Sequence, residues 1–461
     1  LKNGTLPQSI KTLSFGFYYK MQLYKDGLPH SLTQLNFGDH YKASIGPGTL
    51  PTSLLYLTFG QAYNQPLAVD VLPYSLTYLA FGAFYDQHIG INVLPERLRT
   101  LFFGNDFNKP LSHQGQLPDT LTNLTFGQQF KSALLPGQLP QSLTRLSLYN
   151  YYTKEIGPNT LPQSLTWLSL GKNFNHMLEP GVLPNTLTSL TFGENFNKQI
   201  VRGALPPSLT FLKFGVYFNQ YLESPLTAKM LPSQLTKLTY TGNQPISPGT
   251  LPESITELML GNKFNQPLLQ GVLPASITRL GIGEGFFQHR SNVCLPPNLK
   301  YLSIINLCIH GSYLHSLASQ DRGELEVRVL NSNSDLRSHP EIDVLDYPIT
   351  THLLGLQMEF SYYYVAKHIL AALANVRYVG TYLLSFTNNQ CRTVYHIRFI
   401  DDYRVMALIY EHSQVTIGGR PRIRTNYCIG NVVQLLSRAK DQHVLFPYEQ
   451  SYNYFYDPST T

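Results

Sequence analysis

Fourteen times in this chain of 461 residues a Leu-Pro dipeptide opens a Leu-x-x-Leu-x-aromatic phrase, and successive phrases are almost always 22 residues apart. A fixed period of this length is typical of a solenoid, because a unit of about 22 residues cannot bury its own apolar side chains and has to stack on its neighbours. The period therefore predicts one elongated core made of about fourteen coils. The units begin at Leu6, Leu28, Leu50, Leu72, Leu94, Leu117, Leu139, Leu161, Leu183, Leu205, Leu231, Leu251, Leu273 and Leu295.

Each unit contains a short stretch with the alternation of a β-strand. In the unit that begins at Leu28, the apolar residues Leu35 and Phe37 alternate with polar ones, which predicts a strand with one face buried. Gly38 follows this strand and permits either a positive φ or a close approach between chains, and Pro29 favours a turn before it. The pattern Leu-x-x-Leu-x-aromatic is close to the strand segment of leucine-rich repeats. We therefore expect a mainly β, leucine-rich-repeat-like solenoid.

The second half of the unit carries an aromatic residue followed by Asn, often with Gln-Pro-Leu after it, as in residues 59–67, 196–200 and 264–268. These residues resemble the FNIP repeat, a family abundant in social amoebae and in giant DNA viruses that infect amoebae. The resemblance covers about residues 1–312 and implies an interaction scaffold, the role in which most members of the family are known. Some members resemble F-box adaptor proteins and carry an F-box before the repeats. Because the first residues continue a unit and do not begin one, we expect at least part of one more unit upstream.

A change in composition near residue 320 predicts a domain boundary. Residues 1–315 hold 15 Lys and 6 Arg, whereas residues 316–461 hold 2 Lys and 11 Arg. We therefore divide the chain into a solenoid, 1–319, and a smaller mixed α/β C-terminal domain, 320–461.

The C-terminal domain has its own pattern of elements. Alternation predicts a strand at 324–330 and a strand pair at 394–400 and 404–410, and an apolar run predicts a helix at 362–376. The role of this domain stays open among a cap, a dimerisation surface and a second binding module.

Motifs typical of catalytic or cofactor sites do not stand out in the sequence. Gly281, Gly283 and Gly285 imitate a phosphate-binding loop, but Gly283 is the ordinary glycine of the repeat. The cysteines are too widely spaced for a zinc ribbon, and we expect them to be buried free thiols. We therefore expect no enzyme activity, no cofactor and no metal. The cysteines are Cys294, Cys308, Cys391 and Cys428.

An enzyme hosted by the C-terminal domain is one alternative function. A pocket that joined His396, His412 or the arginines around Arg420 to a carboxylate would support it.

Outward-facing strand positions are the main candidates for a site. The residue before the second leucine of each phrase varies between units, whereas the core positions stay uniform. Trp, Tyr and Arg, which dominate binding energy at interfaces, occur there in two clusters, so we predict contact with a protein partner. The alternative is that these side chains only stabilise the sheet face. The candidates are Tyr56, Tyr78 and Phe102 in the first cluster and Arg145, Trp167 and Phe211 in the second.

The asparagine after the second aromatic residue is assigned to structure. A buried amide repeated in each unit can bond to the turns above and below it, and its loss would leave polar backbone groups unpaired. The residues concerned include Asn64, Asn108, Asn175, Asn197, Asn219 and Asn265.

The leading interpretation is a noncatalytic protein–protein interaction scaffold. If an F-box precedes the repeats, the scaffold would be the substrate-recognition part of a ubiquitin-ligase adaptor, with ubiquitin-ligase components among its partners. A nucleic-acid-binding solenoid is a less favoured alternative: residues 1–315 carry a net charge of +7, but their lysines form no stripe along one repeat position. The longest apolar stretch of the tail, 369–376, is too short to span a bilayer, and we expect no membrane partner and a cytoplasmic location.

Overall fold

The computed structural model describes residues 5–111, 115–222, 230–288 and 290–304, together with six strands between residues 326 and 430. The chain divides into two compact units, Leu1–Ile255 and Thr256–Thr461, which we call the N-terminal and C-terminal units. The helix expected at 362–376 lies outside the described residues, as do Arg420 and Arg422, whereas Arg424 lies within the strand Ile423–Gly430.

The N-terminal unit is a ladder of short parallel strands, one in each repeat. Every strand from β1 to β10 pairs in parallel with the next strand along the chain, and the leucine at the centre of each strand aligns with the same leucine one repeat later. The solenoid predicted from the period is therefore confirmed. The strands are β1 Thr12–Ser14, β2 Gln34–Asn36, β3 Tyr56–Thr58, β4 Tyr78–Ala80, β5 Thr100–Phe102, β6 Asn123–Thr125, β7 Arg145–Ser147, β8 Trp167–Ser169, β9 Ser189–Thr191, β10 Phe211–Lys213 and β11 Lys237–Tyr240.

The apolar positions of each repeat form the core. In the unit that begins at Leu50, the side chains of Leu54, Leu57 and Tyr63 are completely buried, and Phe59 is only 2% exposed. At roughly 1.5 to 3 kcal/mol for each large apolar side chain removed from water, this uniform set of core residues is the main source of stability. The strand alternation follows directly, because the residues on either side of Leu57 point away from this core.

The recurrent phrase Leu-Pro-x-Ser-Leu-Thr corresponds to a turn and two links between coils. In the third unit the carbonyl oxygen of Pro51 accepts a hydrogen bond from the Leu54 N–H at 3.1 Å, which closes a β-turn before the strand. The Ser53 hydroxyl donates to the Leu32 carbonyl oxygen of the preceding coil at 2.6 Å. The Thr77 hydroxyl likewise donates to the Leu55 carbonyl oxygen at 3.1 Å. Serine and threonine thus satisfy backbone acceptors that stacking alone would leave unpaired.

Aromatic side chains form two stacked columns inside the N-terminal unit. Phe59 and Tyr63 of one unit stack with a centroid distance of 4.0 Å. Phe59 stacks on Phe81 of the next unit at 5.6 Å, and Tyr63 stacks on Tyr85 at 6.2 Å. The two distances between neighbouring units lie in the range in which aromatic pairs attract each other beyond the effect of area burial.

Two backbone positions explain the recurrent glycines. A Cβ atom at Gly82 would overlap the carbonyl group of Gly60 in the preceding coil, so the glycine that follows most of the strands allows close approach between chains. Positive φ occurs elsewhere in the repeat, two residues before the Leu-Pro dipeptide, as at Gly181 (84°), Asn92 (61°) and Asp70 (63°). Of the two roles open to the glycine after the strand, the structure supports the close approach.

Asparagine side chains link successive coils, but they do so at the surface. The Asn197 Oδ1 accepts a hydrogen bond from the Asn219 N–H at 2.9 Å and another from Gln220 Nε2 at 3.0 Å. The Asn197 N–H in turn donates to Asn175 Oδ1 at 2.9 Å. Asn197 is exposed, as is Asn64, so the expectation of a buried amide was wrong: the amide lies at the outer edge of the turn, where its oxygen reaches the next coil. The predicted ladder of hydrogen bonds is confirmed.

Removal of one rung of this ladder is expected to have a modest cost. Asn197→Ala should lower the free energy of unfolding by about 1 kcal/mol, because an exposed backbone N–H loses its side-chain acceptor. Asn197→Asp should be nearly neutral, since Asp86 holds the equivalent place and its Oδ1 accepts from the Asn108 N–H at 2.9 Å. Urea unfolding followed by circular dichroism measures both changes, and equal loss in the two variants would contradict the acceptor role.

The C-terminal unit begins with repeats and ends in an antiparallel meander. Strands β12 to β17 pair in parallel in chain order, and β17 to β20 pair antiparallel. The predicted strands at 324–330, 394–400 and 404–410 are confirmed with shifted ends. The strands are β12 Glu257–Leu260, β13 Arg279–Ile282, β14 Tyr301–Ile304, β15 Glu326–Leu330, β16 Gly355–Ser361, β17 Tyr382–Thr387, β18 Cys391–Phe399, β19 Val405–Ser413 and β20 Ile423–Gly430.

The predicted boundary near residue 320 falls between β14 and β15, which pair in parallel with Tyr301 aligned to Glu326. The division into compact units falls between Ile255 and Thr256 instead. The assignment of 1–319 and 320–461 to separate domains therefore stays a prediction.

Candidate functional site

The outward side chains of β1 to β11 form a continuous surface, which we call the strand face. In each strand the central leucine points into the core, while the residues before and after it are exposed or half-buried, as at Tyr56 and Thr58 of β3. Because the strands are parallel and in register, equivalent outward residues of successive repeats stand in rows. The uniform core thus holds a variable set of side chains at fixed spacing.

Three aromatic residues of β3 to β5 meet on this face, and we call them the aromatic patch. Tyr56 and Tyr78 occupy equivalent positions in adjacent strands, with ring centroids 5.9 Å apart. Phe102, on β5, lies 5.7 Å from Tyr78. Tyr56 is 48% exposed, and the other two rings are half-buried. The structure therefore brings together the first cluster predicted from the sequence.

The second predicted cluster is a contacting pair with one separate ring. The Arg145 guanidinium lies 4.7 Å from the centroid of the Trp167 ring, a cation–π contact between adjacent strands. Phe211 lies two strands away from Trp167, because Ser189 of β9 occupies the aligned position between them. The arrangement leaves a small side chain between two large aromatic ones.

The row of aligned residues that begins at Arg145 continues to Lys237 on β11, and we call the surface that it forms the basic-aromatic stripe. It consists of residues aligned across β7 to β11, with one further lysine at the end of β10. The three cations are exposed, and the other residues are half-buried. None of the strands β1 to β11 contains Asp or Glu. The members of the stripe are Arg145, Trp167, Ser189, Phe211, Lys213 and Lys237.

Comparison with known families identifies the repeat. The model of the FNIP repeat matches seven stretches of the chain, which together cover more than half of it: 1–40, 41–84, 85–129, 130–173, 174–217, 203–239 and 243–285. The chain belongs to the FNIP repeat family. The resemblance drawn from the sequence is therefore confirmed.

A solved structure similar to this FNIP repeat protein is that of CroV588, a giant-virus protein described as a novel circular LRR protein. The two chains are 32% identical, with a TM-score of 0.60, over 78% of this chain and 58% of CroV588. The chain thus spans less than two thirds of the length of CroV588. An internalin, InlF from Listeria monocytogenes, is 15% identical over 64% of this chain and 87% of its own, with a TM-score of 0.41. Comparison with curated proteins gives no match.

Two cations of the stripe were missed among the sequence candidates. Lys237 stands in the variable row next to Phe211, and Lys213 occupies the second outward position of its strand. The sequence signal for them is charge, counted at both outward positions of every FNIP unit. The prediction used only the residue before the central leucine and therefore did not include Lys213. The C-terminal unit has a similar cation–π pair, with the Arg279 guanidinium 4.6 Å from the centroid of the Tyr301 ring.

The glycine-rich segment and the first cysteine have structural roles in their FNIP units. A Cβ atom at Gly283 would overlap the backbone of Gly261, so Gly283 is the close-approach glycine of its unit. Cys294 is a free thiol but is exposed, contrary to the expectation of burial. The reason is that Val293, which bridges to Leu268, fills the buried place and turns Cys294 outward.

The part of the chain that the structure describes offers neither a metal cluster nor a membrane span. Among these residues, no three His, Cys, Asp or Glu side chains lie close enough together to hold a metal ion. The described residues also contain no helix with the length and apolar character needed to cross a membrane. His396 and His412 lie on β18 and β19, within strands described by their backbone pairing.

Proposed function

We propose that this FNIP repeat protein is a noncatalytic scaffold that binds a protein partner through the strand face of its N-terminal unit. The observation that carries the proposal is the contrast between two sets of positions. The core positions hold buried apolar or aromatic residues from repeat to repeat, whereas the outward row changes from Thr12 and Gln34 to Tyr56, Arg145 and Trp167. Variable side chains on a rigid support are what a recognition surface requires.

The composition of the face supports protein contact. Tyr, Trp and Arg provide much of the binding energy at protein interfaces, and the aromatic patch and the basic-aromatic stripe concentrate these types. Tyr56 and Tyr78 present large rings beside each other in a fixed register, so little conformational entropy is lost when a partner covers them. The ladder offers a long open surface on which an extended or convex partner segment can lie.

A finer proposal concerns the pathway in which the scaffold acts. The family resemblance favours the substrate-recognition end of an F-box-type ubiquitin-ligase adaptor, with the repeats holding the substrate. This proposal predicts that the full-length protein co-purifies with ubiquitin-ligase subunits. Mass spectrometry of the purified complex tests it, and recovery of the partner without any ligase subunit would contradict the adaptor while leaving the scaffold in place.

The aromatic patch gives a direct test of the scaffold. The double variant Tyr56→Ser and Tyr78→Ser should reduce partner recovery in a pull-down at least tenfold, because two exposed anchor rings are lost. Thermal unfolding should change little, since cross-strand ring pairs contribute only about 0.2 to 1 kcal/mol each. The matched control is Tyr24→Ser with Tyr74→Ser, which removes two exposed rings away from the strand face.

Three outcomes are informative. Loss of recovery in the patch variant with normal recovery in the control supports the proposal. Equal recovery in both, together with equal recovery after Trp167→Ser, would exclude the strand face as the site of binding. Loss of recovery that coincides with a lower melting temperature is resolved by Tyr56→Phe with Tyr78→Phe, which keep the rings and should restore binding.

A further inference from the structure

We infer that the basic-aromatic stripe binds an extended acidic peptide segment that inserts one aromatic side chain between Trp167 and Phe211. The inference rests on the proposed function and specifies the chemistry of the partner at one place on the strand face. It comes from charge, spacing and side-chain size in β7 to β11.

Charge on the strand face has one sign and one location. The cations within β1 to β11 are Arg145, Lys213 and Lys237, and all three lie in the five consecutive strands from β7 to β11. None of the strands β1 to β11 contains Asp or Glu, so their own outward side chains have a positive formal charge. A segment that carries Asp or Glu would therefore meet complementary charge, which favours correct pairing and fast association.

The spacing of the row leaves room for one ring. Trp167 and Phe211 are two strands apart, which corresponds to about 10 Å at the usual separation of paired strands. Ser189 between them has a small side chain, and from this difference in size we infer a gap between the two rings. A ring inserted midway would lie about 5 Å from each neighbour, within the range of roughly 4.5 to 7 Å that favours aromatic pairs. Arg145 covers the other side of Trp167 and holds that ring in place.

The length of the stripe fits a short segment. Four strand separations from Arg145 to Lys237 amount to about 19 Å, which an extended chain covers in about six residues. An aromatic residue at the centre would then have acidic neighbours two to four positions away on both sides, near Arg145 at one end and the two lysines at the other.

A single-stranded nucleic acid fits the same surface less well. A groove that follows a phosphate backbone carries positive charge along its length, with successive bases stacked on aromatic residues. The aromatic patch on β3 to β5 has no cation in its strands, and the stripe offers three cations in five strands. The positive charge of the strand face is therefore suited to a few carboxylates at the stripe, and it does not extend along the whole strand face.

The experiment uses the full chain and a labelled peptide, Glu-Gly-Glu-Gly-Tyr-Gly-Glu-Gly-Glu, in which the acidic residues lie two and four positions from Tyr and share its face of an extended chain. Its binding is followed by fluorescence anisotropy, and the emission of Trp167, the only tryptophan, reports contact at the stripe directly. We expect saturable binding that quenches or shifts this emission and weakens as salt is added, because exposed charge pairs are screened. Replacement of the peptide's Tyr by Ala, or of its Glu residues by Gln, should weaken binding roughly tenfold.

Variants of the protein separate the two parts of the stripe. Lys213→Gln with Lys237→Gln should weaken binding of the Glu peptide several-fold and leave the weaker binding of the Gln peptide unchanged. Ser189→Leu should fill the gap and abolish the preference for Tyr over Ala. The control is Tyr24→Ser with Tyr74→Ser, which should leave peptide affinity unchanged because both exposed rings lie outside the strands.

The outcomes distinguish this inference from the proposed function. Absence of peptide binding, or binding that is unchanged in the lysine and Ser189→Leu variants, overturns the inference, while the patch pull-down still decides whether the strand face binds protein. Tighter binding of a twelve-nucleotide single-stranded oligonucleotide than of the peptide also overturns it. A protein partner recovered through the stripe but unaffected by competing Glu peptide would show that the partner chemistry is wrong.

Discussion

Raising the pH above about 10 is expected to unfold the N-terminal unit cooperatively, because its aromatic column contains buried tyrosines. The phenol oxygens of Tyr63 and Tyr85 are buried and have no hydrogen-bond partner among the described residues. Burial raises the pKa of both phenols far above the ordinary value of 10, and charge repulsion from the preceding tyrosine of the column raises the pKa of each further. Burial also raises the pKa of Tyr240 to about 12.

The sign of the pH dependence follows from these pKa values. Below pH 10 both the folded and the unfolded chain keep the phenol protons, and the stability of the fold is fully present. Above pH 10 the unfolded chain releases protons that the folded chain retains, so the free energy of unfolding falls as the pH rises towards the folded-state pKa. The slope is about 1.4 kcal/mol per pH unit for each such tyrosine, so several together approach the roughly 5 to 15 kcal/mol that stabilises a typical domain.

Phenylalanine variants test this pH dependence. Tyr63→Phe with Tyr85→Phe keeps the stack and removes two ionisable groups, so the midpoint of alkaline unfolding should move to higher pH. At neutral pH the variant should be at least as stable as the parent, since two unpaired hydroxyls are removed from the core. The control is Tyr24→Phe with Tyr74→Phe, whose rings are exposed. An equal shift of the midpoint in both variants, measured by circular dichroism, would assign the transition to surface ionisation.

The sequence predicted the repeat, the strands and their outward rows because these depend on local periodicity. Leu57 and Phe59 alternate with polar residues in one unit, and a period of 22 leaves stacking as the only way to bury them. The link from Asn197 to the next coil was also predictable, since an amide that recurs once per repeat has the next repeat as its natural partner. Its exposure was not, because position along the turn does not determine which side faces solvent.

Contacts between coils were less accessible from the sequence. Ser53 and Thr77 bond to carbonyl oxygens of the preceding coil, but Ser and Thr near a strand can equally bond to the backbone of their own turn. At the candidate site, the period of 22 already places Ser189 between Trp167 and Phe211, and the register of the strands confirms this order. The combined sign of charge at Lys213 and Lys237 required knowing that both outward positions of a strand share one face.

Gly82→Ala is expected to destabilise the N-terminal unit by about 3 kcal/mol or more. A Cβ atom at this position would overlap the carbonyl group of Gly60 and approach the Cα of Gln61, and these are backbone atoms that cannot move aside alone. The coils would have to separate, which weakens the adjacent strand pairing and the aromatic stack at Phe81. The cost is crowding and not backbone strain, since the φ of Gly82 is not positive.

The matched control for this variant is Gly181→Asn. Gly181 has a φ of 84° and no atom within 4 Å of a Cβ placed on it, and Asn92 and Asn159 occupy the same turn position at 61° and 60°. Asparagine tolerates the left-handed region better than most residues, so the cost should be below about 1 kcal/mol. Urea unfolding midpoints compare the two variants. If Gly82→Ala unfolds at the same urea concentration as the parent, there is room for a Cβ atom between the coils at Gly82, and the close packing proposed for this position is wrong.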